Sequence, residues 1–351
     1  MSALLETEAE LDEAAQGQLL DEVEEVFVAK DNEMLEAEIT DEEVRESLKT
    51  SNKKAAPGGD GITFLVSDLC WSSLGKDLCN VIREVAKAGT PTESMKHSFM
   101  VFSPKPGKTT SLLPRDKRKL AMLQSDWKIL TGIMAARLRK TEGHTMSEHQ
   151  YAAGSRRITH AICQVRDAIQ SVSQNQKGCA FAEMDFKSAY DKIALSWTWK
   201  VLSKKNCSPA FMETMRQLYE TSYVISIVNN EQQPRILNKR QNIKQGDRAS
   251  TILYNYSADA LLVQLHKRLE GVVYHKLTKA GPRHPKLGRP TPLEARLSVL
   301  GFVDDVKCAL TSLKEFEMLD AGVRLFERAS GSELHRDPTT KKCQLLTMGK
   351  W

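Results

Sequence analysis

Three aspartates stand at the ends of short apolar runs, where a carboxylate is costly. Asp185 follows residues 179–184, and Asp304 and Asp305 follow residues 297–303. A carboxylate at the end of a buried strand loses hydration, which costs free energy unless a partner binds it. Two Mg²⁺ ions about 3.5–4 Å apart, held by carboxylates from separate segments, would be such partners and would make or break phosphodiester bonds. Mn²⁺ is an alternative ion for the same oxygen ligands. Taken alone, an Asp-Asp pair is usually a surface turn, and a single Asp after a strand is usually a cap.

The elements around these acids predict an α+β fold, with a mostly antiparallel sheet and helices on one face. Apolar runs predict single strands over residues 98–103, 179–185 and 343–347. Two hairpins are predicted, over 222–240 with Asn229-Asn230 at the turn and over 297–311 with the Asp pair at the tip. Helical periodicity predicts helices over 125–140, 157–172, 249–269 and 313–328.

Sequence signals also predict where the chain leaves these elements. Thr40 and Glu43 form a capping box that begins a short helix. Residues 104–119 and 276–292 are rich in basic residues and are predicted to be exposed loops.

Charge is distributed unevenly along the 351 residues, a length that suits two or three packed subdomains. The formal net charge is +5, but residues 1–49 hold 17 acidic and three basic residues. The other 302 residues therefore hold 47 basic and 28 acidic residues. A body this basic favours a polyanionic partner, whose binding would weaken with salt. A lysine-rich surface that serves only solubility is the alternative.

The seven cysteines show no CxxC spacing, and several lie in apolar runs, as free buried thiols do. We therefore expect a reducing compartment. The sequence shows no signal peptide and no apolar stretch long enough to cross a bilayer. These features predict an intracellular protein of the nucleus or cytoplasm, without membrane partners.

Several segments, taken in order, resemble the motifs of reverse transcriptases from non-LTR (LINE-type) retrotransposons. The first catalytic motif is resembled by residues 181–191 (Phe-Ala-Glu-Met-Asp-Phe-Lys-Ser-Ala-Tyr-Asp). The Gln-Gly motif is resembled by residues 244–250 (Lys-Gln-Gly-Asp-Arg-Ala-Ser). The Ala/Val-Asp-Asp motif is resembled by residues 301–306 (Gly-Phe-Val-Asp-Asp-Val). Sixty residues separate Asp185 from Gln245 and 59 separate Gln245 from Asp304, in the order of the family. Flanking segments at 56–63, 118–138, 149–156 and 330–346 also resemble the family, so the likeness covers residues 40–349.

This resemblance implies a right-hand polymerase with fingers and palm subdomains. It implies that residues 40–175 form the fingers and residues 176–351 an antiparallel palm. Residues 1–39 would be an acidic leader that is either helical or disordered. The chain stops where the helical thumb of the family would begin, so the thumb is expected to be missing. The implied activity is RNA-directed DNA synthesis, with an RNA template, a DNA primer and dNTPs as partners.

The resemblance also implies roles for individual residues. Asp185 and Asp304 would be metal ligands with Asp305 beside them, and the Phe186 carbonyl would be a further oxygen ligand. Tyr190 stands at the sugar-gating position, where a ring would clash with a ribose 2′-OH; a core aromatic is the alternative.

Other implied roles concern the incoming nucleotide. Gln245 and Gly246 would let the backbone approach the incoming base or the template, unless they form an ordinary turn before a helix. Arg118 and Lys105, with Lys108 nearby, would neutralise the triphosphate, unless they are solvated loop charges. Lys341 would protonate the leaving pyrophosphate. Its neighbour Lys342 competes for that role, and a plain surface lysine is the third possibility.

One departure from the family bears on function. Asp247-Arg-Ala-Ser250 stands where a Pro-Leu-Ser type of run is usual after Gln-Gly. Three functions therefore stay open: an RNA-directed DNA polymerase module, a truncated and catalytically weak or inactive nucleic-acid-binding remnant of such an element, and an unrelated metal-dependent nuclease. Protein partners are not predicted by any motif.

Overall fold

The computed structural model describes residues 11–111, 113, 116–175, 178–228, 231–237, 243–276, 293–337, 339, 342–349 and 351. These residues form two compact units. The first unit contains residues 24–145 and 190–254, and the second contains residues 11–23, 146–189 and 255–351. Within the described ranges, no helix is long and apolar enough to cross a membrane.

The helices, in chain order, are α1 Glu13–Leu20, α2 Ala29–Glu36, α3 Asp41–Lys49, α4 Phe64–Leu69, α5 Trp71–Ala88, α6 Glu93–Lys96, α7 Ser125–Thr145, α8 Ile158–Asn175, α9 Ala189–Lys192, α10 Leu195–Lys204, α11 Pro209–Glu220, α12 Ser250–Arg268 and α13 Leu313–Ser330. The strands are β1 His97–Pro104, β2 Lys117–Met122, β3 Cys179–Asp185, β4 Tyr223–Val228, β5 Glu231–Leu237, β6 Val272–Lys276, β7 Leu293–Leu297, β8 Val299–Phe302, β9 Asp305–Leu310 and β10 Gln344–Met348. This mixture of helices and sheets confirms the α+β class.

The first unit contains a sheet in the order β2-β1-β4-β5. Strand β1 pairs antiparallel with β2 and parallel with β4, and β4 pairs antiparallel with β5. The prediction of an exposed basic loop over residues 104–119 is therefore wrong at its end, where β2 begins at Lys117. The three successive basic residues at the start of β2 do not show the apolar pattern of a strand, so this strand was not predicted. Its pairing with β1, rather than its own pattern, stabilises it.

The second unit contains a fully antiparallel sheet in the order β10-β3-β9-β8. Strands β6 and β7 form a separate antiparallel pair. Strand β3 has the predicted bounds, but the predicted hairpin arm at 297–303 begins too early, because Leu297 ends β7 and β8 begins at Val299. Helix α8 packs on β6, and buried residues from both contribute to one core cluster, which includes Ala168, Val172, Val272, Tyr274 and Leu300.

The described part of the acidic N-terminal segment contains two helices, α1 and α2, joined by a non-helical stretch. Helix α1 packs on α13, where the Gln16 amide donates to the Ala329 carbonyl at 2.8 Å. Helix α3 begins with the predicted capping box: Thr40 Oγ1 accepts from the Glu43 N–H and Glu43 accepts from the Thr40 N–H, both at 3.1 Å.

The two compact units do not follow the predicted boundaries at residues 39/40 and 175/176. Each unit is assembled from distant segments, because strands far apart in sequence pair within one sheet. The division into leader, fingers and palm concerns function rather than compactness, and it stays a prediction. The predicted turn at Asn229-Asn230 and most of the predicted loop over 276–292 lie outside the described residues.

Candidate active site

The second unit brings the three predicted aspartates together at one end of its sheet. Asp185, the last residue of β3, is the cross-strand partner of Asp305, the first residue of β9. Directly opposed residues of antiparallel strands have Cα atoms about 4.5–5.5 Å apart. Phe302 and Asp305 close the β8–β9 hairpin, so Asp304 lies in its two-residue turn beside this pair. The register of β3 with β9 therefore makes these two strands neighbours.

Like charges surround Asp304 in this turn. Burial raises the pKa of the half-buried Asp304 carboxyl above its ordinary value, and the charges of Asp305 and Asp185 raise that pKa further. The Asp304 backbone N–H and the Lys342 ammonium act in the opposite direction. The raised pKa means that the ionised Asp304 lacks sufficient stabilisation from the protein itself.

The cation closest to these acids comes from the segment before β10. Lys342 Nζ lies 2.5 Å from Asp185 Oδ2. Cys343 reinforces this contact, since its Sγ accepts from the Asp185 N–H at 3.4 Å. The predicted proton donor Lys341 lies outside the described residues. The sequence alone could not place Lys342 beside Asp185, because this contact depends on the pairing of β10 with β3.

Phe186 follows the strand as its sequence position predicts. Its side chain is buried and packs edge-on against Phe326, with ring centroids 5.8 Å apart. An isolated bridge joins Phe186 to Leu334. The bonds around this bridge run from the Lys187 N–H to the Glu333 carbonyl and from the His335 N–H to the Asp185 carbonyl. Neither bond uses the Phe186 carbonyl.

The chemistry of these donors suits a hard divalent cation. Three carboxylates supply the oxygen ligands that Mg²⁺ and Mn²⁺ prefer, and a cation would relieve the repulsion that raises the pKa of Asp304. In the described part of the chain, no group of three or more His, Cys, Asp or Glu side chains is already gathered tightly enough to hold a metal ion. The ammonium of Lys342 is the cation that contacts Asp185 instead.

The first unit contains the Gln-Gly segment, which forms a tight turn against β2. The Gln245 carbonyl accepts from the Ala121 N–H at 2.8 Å. Gly246 has φ +115°, and a Cβ at this position would lie 2.7 Å from the Ala121 carbonyl oxygen. Glycine is therefore required here both by the backbone conformation and by the close approach of β2.

The unusual Asp247 has a structural explanation. It is buried, and Oδ1 accepts from Thr131 Oγ1 at 2.5 Å and from the Arg248 N–H at 2.6 Å. Oδ2 accepts from the hydroxyl of Tyr219. Burial and the Asp247 charge hold the pKa of Tyr219 well above its ordinary value, so this hydroxyl remains a donor.

Lys244 and Arg248, on either side of this turn, are also bound by protein groups. Lys244 is fully buried, and its Nζ lies 4.2 Å from the ring centroid of Trp127 and bonds Ser222 Oγ. The Arg248 guanidinium donates to the Ser47 carbonyl at 2.8 Å. The burial of Lys244 could not be predicted from the sequence, since its aromatic neighbours are distant in the chain.

Residues 103–349, more than half of the chain, match the family described as "Reverse transcriptase (RNA-dependent DNA polymerase)". The chain belongs to this reverse transcriptase family. It is also similar to the "Transposon TX1 uncharacterized 149 kDa protein" of Xenopus laevis, with 23% identity over 304 residues. The alignment covers 86% of this chain but 22% of the relative, so the chain spans about a fifth of the length of that protein. The predicted reverse transcriptase domain of the non-LTR retrotransposon type is confirmed by these two matches.

The remaining predicted site residues of this reverse transcriptase domain lie in the first unit. Arg118 is exposed on β2, opposite Ser103 of β1. The Lys105 N–H donates to the Asp116 carbonyl at 2.9 Å, and the Lys105 side chain is half-buried. Arg118 thus lies on the strand that also holds the Gln245-Gly246 turn. Their proposed contacts with a nucleotide stay predictions.

Tyr190, at the predicted sugar-gating position, is half-buried and has an aromatic neighbour. Its ring centroid lies 5.1 Å from that of Tyr254, with the planes inclined by 37°. The adjacent Asp191 lies 3.7 Å from Lys119 Nζ, which agrees with a structural role for Asp191. The tilted stacking orients the Tyr190 ring without burying it completely, so both the gating role and the packing role stay open.

Proposed function

We propose that this domain is an RNA-directed DNA polymerase that extends the 3′-OH of a DNA primer on an RNA template, using dNTPs and two Mg²⁺ or Mn²⁺ ions. The observation that carries the proposal is the cross-strand pairing of Asp185 with Asp305, beside Asp304 in the hairpin turn. Membership of the reverse transcriptase family supports the same chemistry. The basic charge of residues 50–351 suits a nucleic-acid partner.

In this proposal, Asp185 and Asp304 hold the ions, with Asp305 and the Phe186 carbonyl as further oxygen ligands. The bound ions would lower the pKa of the attacking hydroxyl and neutralise charge on the leaving group. A divalent ion bound by Asp185 would replace its bond with Lys342, so that the Lys342 ammonium would be free to act as an acid. Lys342 then donates a proton to the leaving pyrophosphate, and Lys341 is the alternative donor.

The nucleotide-side roles follow from the same proposal. The Tyr190 ring excludes a ribose 2′-OH, and the side-chain-free Gly246 lets a base or the template approach the turn. Arg118 and Lys105 neutralise the triphosphate. We assign these roles to a right-hand polymerase in which residues 40–175 act as fingers and residues 176–351 as palm.

The test is primer extension on an RNA template with dNTPs, using the full chain and the variants Asp185→Asn and Asp304→Asn. We expect each variant to lose activity by about 10²–10³-fold or more, because each removes charge stabilisation at the reacting phosphate. Glu183→Gln is the matched control, since Glu183 lies on the same strand but is exposed and paired with Lys307 at 2.5 Å. Full activity in both aspartate variants would refute the proposal. Comparing rNTPs with dNTPs in Tyr190→Ala tests the gating role.

One observation favours a second function. The Lys342 ammonium already neutralises Asp185, one of the proposed metal ligands. The domain would then bind RNA without synthesising DNA. Salt-sensitive RNA binding without dNTP incorporation would support this second function, and robust incorporation would exclude it.

A further inference from the structure

The turn that carries Asp304 contains an unusual backbone conformation. Val303 has φ +59°. A β-branched residue rarely adopts a positive φ, because its Cβ then crowds the backbone. Such conformations persist only where the surroundings hold them in place. The residue immediately before a proposed metal ligand is therefore strained, and something must fix it.

A buried glutamine contacts this strained residue. Gln150 is fully buried, and its Oε1 accepts from the Val303 N–H at 3.2 Å and from the Ala152 N–H at 3.1 Å. Backbone bonds on either side of Gln150 attach the same segment to β8. The Gly301 N–H donates to the His149 carbonyl at 2.8 Å, and the Tyr151 N–H donates to the Gly301 carbonyl at 2.7 Å.

The segment that presents Gln150 is itself held by charged groups. The buried Asp259 accepts from Ser147 Oγ at 2.6 Å and from the Ser147 N–H at 3.1 Å. Arg156 donates to the Gln150 carbonyl at 3.0 Å and also bonds the Ser147 carbonyl. These contacts make residues 147–156 a fixed support behind the hairpin turn.

Packing alone does not explain a glutamine at position 150. Its Nε2 is buried and has no hydrogen-bond partner among the described residues. Leaving a buried donor unpaired lowers stability, so an apolar side chain of similar size would serve the core better. What a glutamine provides at this position, and an apolar side chain would not, is the acceptor Oε1, which bonds the Val303 N–H.

We infer that Gln150 is a positioning residue that holds the Val303-Asp304 turn, so that the Asp304 carboxylate is presented beside Asp185 and Asp305. This inference rests on the proposed polymerase function and assigns a support to its metal ligand. Gln150 contacts the backbone of the turn rather than the substrate. Its loss should therefore affect the geometry of the acids more than nucleotide affinity.

The experiment compares the full chain with Gln150→Met, which keeps the side-chain size and removes the acceptor. Gln264→Met is the matched control, because Gln264 is also fully buried in the second unit, and neither of its amide atoms has a partner in the described part of the chain. The first readout is hydrogen exchange of the Val303 amide, resolved by fragmentation of the peptide that contains it. The second is Mn²⁺ affinity, and the third is kcat and KM for dNTP in primer extension.

We expect Gln150→Met to speed exchange of the Val303 amide by about fivefold or more, the equivalent of one hydrogen bond. Mn²⁺ affinity and kcat should fall by about tenfold, with KM for dNTP little changed. Gln264→Met should leave all three quantities near those of the parent. Adding Val303→Gly to Gln150→Met should recover part of kcat, because glycine adopts a positive φ without strain.

Two results would overturn the inference. One is a Val303 amide that exchanges at an unprotected rate in the unsubstituted chain, a measurement that does not require any variant to fold. The other is a Gln150→Met protein that matches Gln264→Met in exchange, Mn²⁺ affinity and kcat. Absence of primer extension by the unsubstituted chain would refute the proposed function instead, and the inference would then be decided by exchange and Mn²⁺ affinity alone.

Discussion

The hairpin turn at Val303-Asp304 and the turn at residues 244–248 are both short and rich in charge, but they treat their charges differently. In the turn at residues 244–248, Asp247 accepts hydrogen bonds from Thr131, Tyr219 and the Arg248 N–H. In the hairpin turn, burial raises the pKa of Asp304, and like charges are its neighbours. One turn satisfies its charges within the protein, whereas the other leaves a carboxylate in need of a cation.

This difference separates a structural charge from a functional one. A buried charge with a full set of partners stabilises its surroundings and has little capacity left for a ligand. A carboxylate held beside other carboxylates lowers the stability of the fold. Proteins keep such arrangements where the binding of a ligand offsets that loss. On this basis Asp247 is part of the scaffold of the Gln-Gly turn, and the metal-binding role of Asp304 stays a proposal.

The largest stability effect is expected at the satisfied turn. Asp247→Ala should lower the free energy of unfolding by about 3–5 kcal/mol, because the buried Tyr219 hydroxyl loses its acceptor and the Thr131 hydroxyl keeps only its bond to the Trp127 carbonyl at 3.1 Å. Glu213→Ala is the control in the same unit, since Glu213 is exposed and pairs with Arg216 at 2.7 Å; it should cost about 0–1 kcal/mol. Urea denaturation measures both. Equal costs would show that the Asp247 network is not part of the scaffold.

A smaller effect of opposite sign is expected at the unsatisfied turn. The folded-state pKa of Asp304 is raised, so its ionisation destabilises the ion-free fold as the pH rises past the unfolded value of about 3.8 and then past the raised folded value. Asp304→Asn should therefore raise Tm at pH 7.5 without divalent ions, by about 1–3 °C. The gain should shrink and then disappear as the pH falls below the unfolded value of about 3.8, because the carboxyl becomes protonated in both states.

Thermal unfolding across this pH range, in the presence of a chelator, tests the sign. Glu183→Gln is the control and should show no gain at pH 7.5, because Glu183 is exposed and paired with Lys307. A lower Tm for Asp304→Asn than for the parent at pH 7.5 would contradict the comparison between the two turns.

Local pattern was sufficient to predict much of the site in the second unit. The bounds of β3 follow from a short apolar run that ends in an acid. The hairpin tip was predicted at the Asp304-Asp305 pair, whereas the turn consists of Val303 and Asp304 and β9 begins at Asp305. That β3 and β9 are neighbours, which pairs Asp185 with Asp305, was not predicted from the sequence and comes from the register of the sheet. Family motifs supplied the order of these segments along the chain.

What could not be predicted depends on contacts between distant residues. Strand β2 is stabilised by β1 and not by its own basic sequence, and the parallel pairing of β1 with β4 joins segments about 125 residues apart. The partners of Asp247 come from α7 and α11, so its burial left no local signal. The contact of Lys342 with Asp185 and the contact of Gln150 with Val303 likewise depend on register.

The most direct test of the metal site is a titration of the chain with Mn²⁺ at pH 7.5, in which electron paramagnetic resonance measures the free ion. The account predicts that the parent and Glu183→Gln bind Mn²⁺ and reduce the free signal, while Asp185→Asn and Asp304→Asn bind it at least about tenfold more weakly. Equal binding by the parent and Asp304→Asn, or no binding by the parent, would contradict the claim that these aspartates hold a divalent cation.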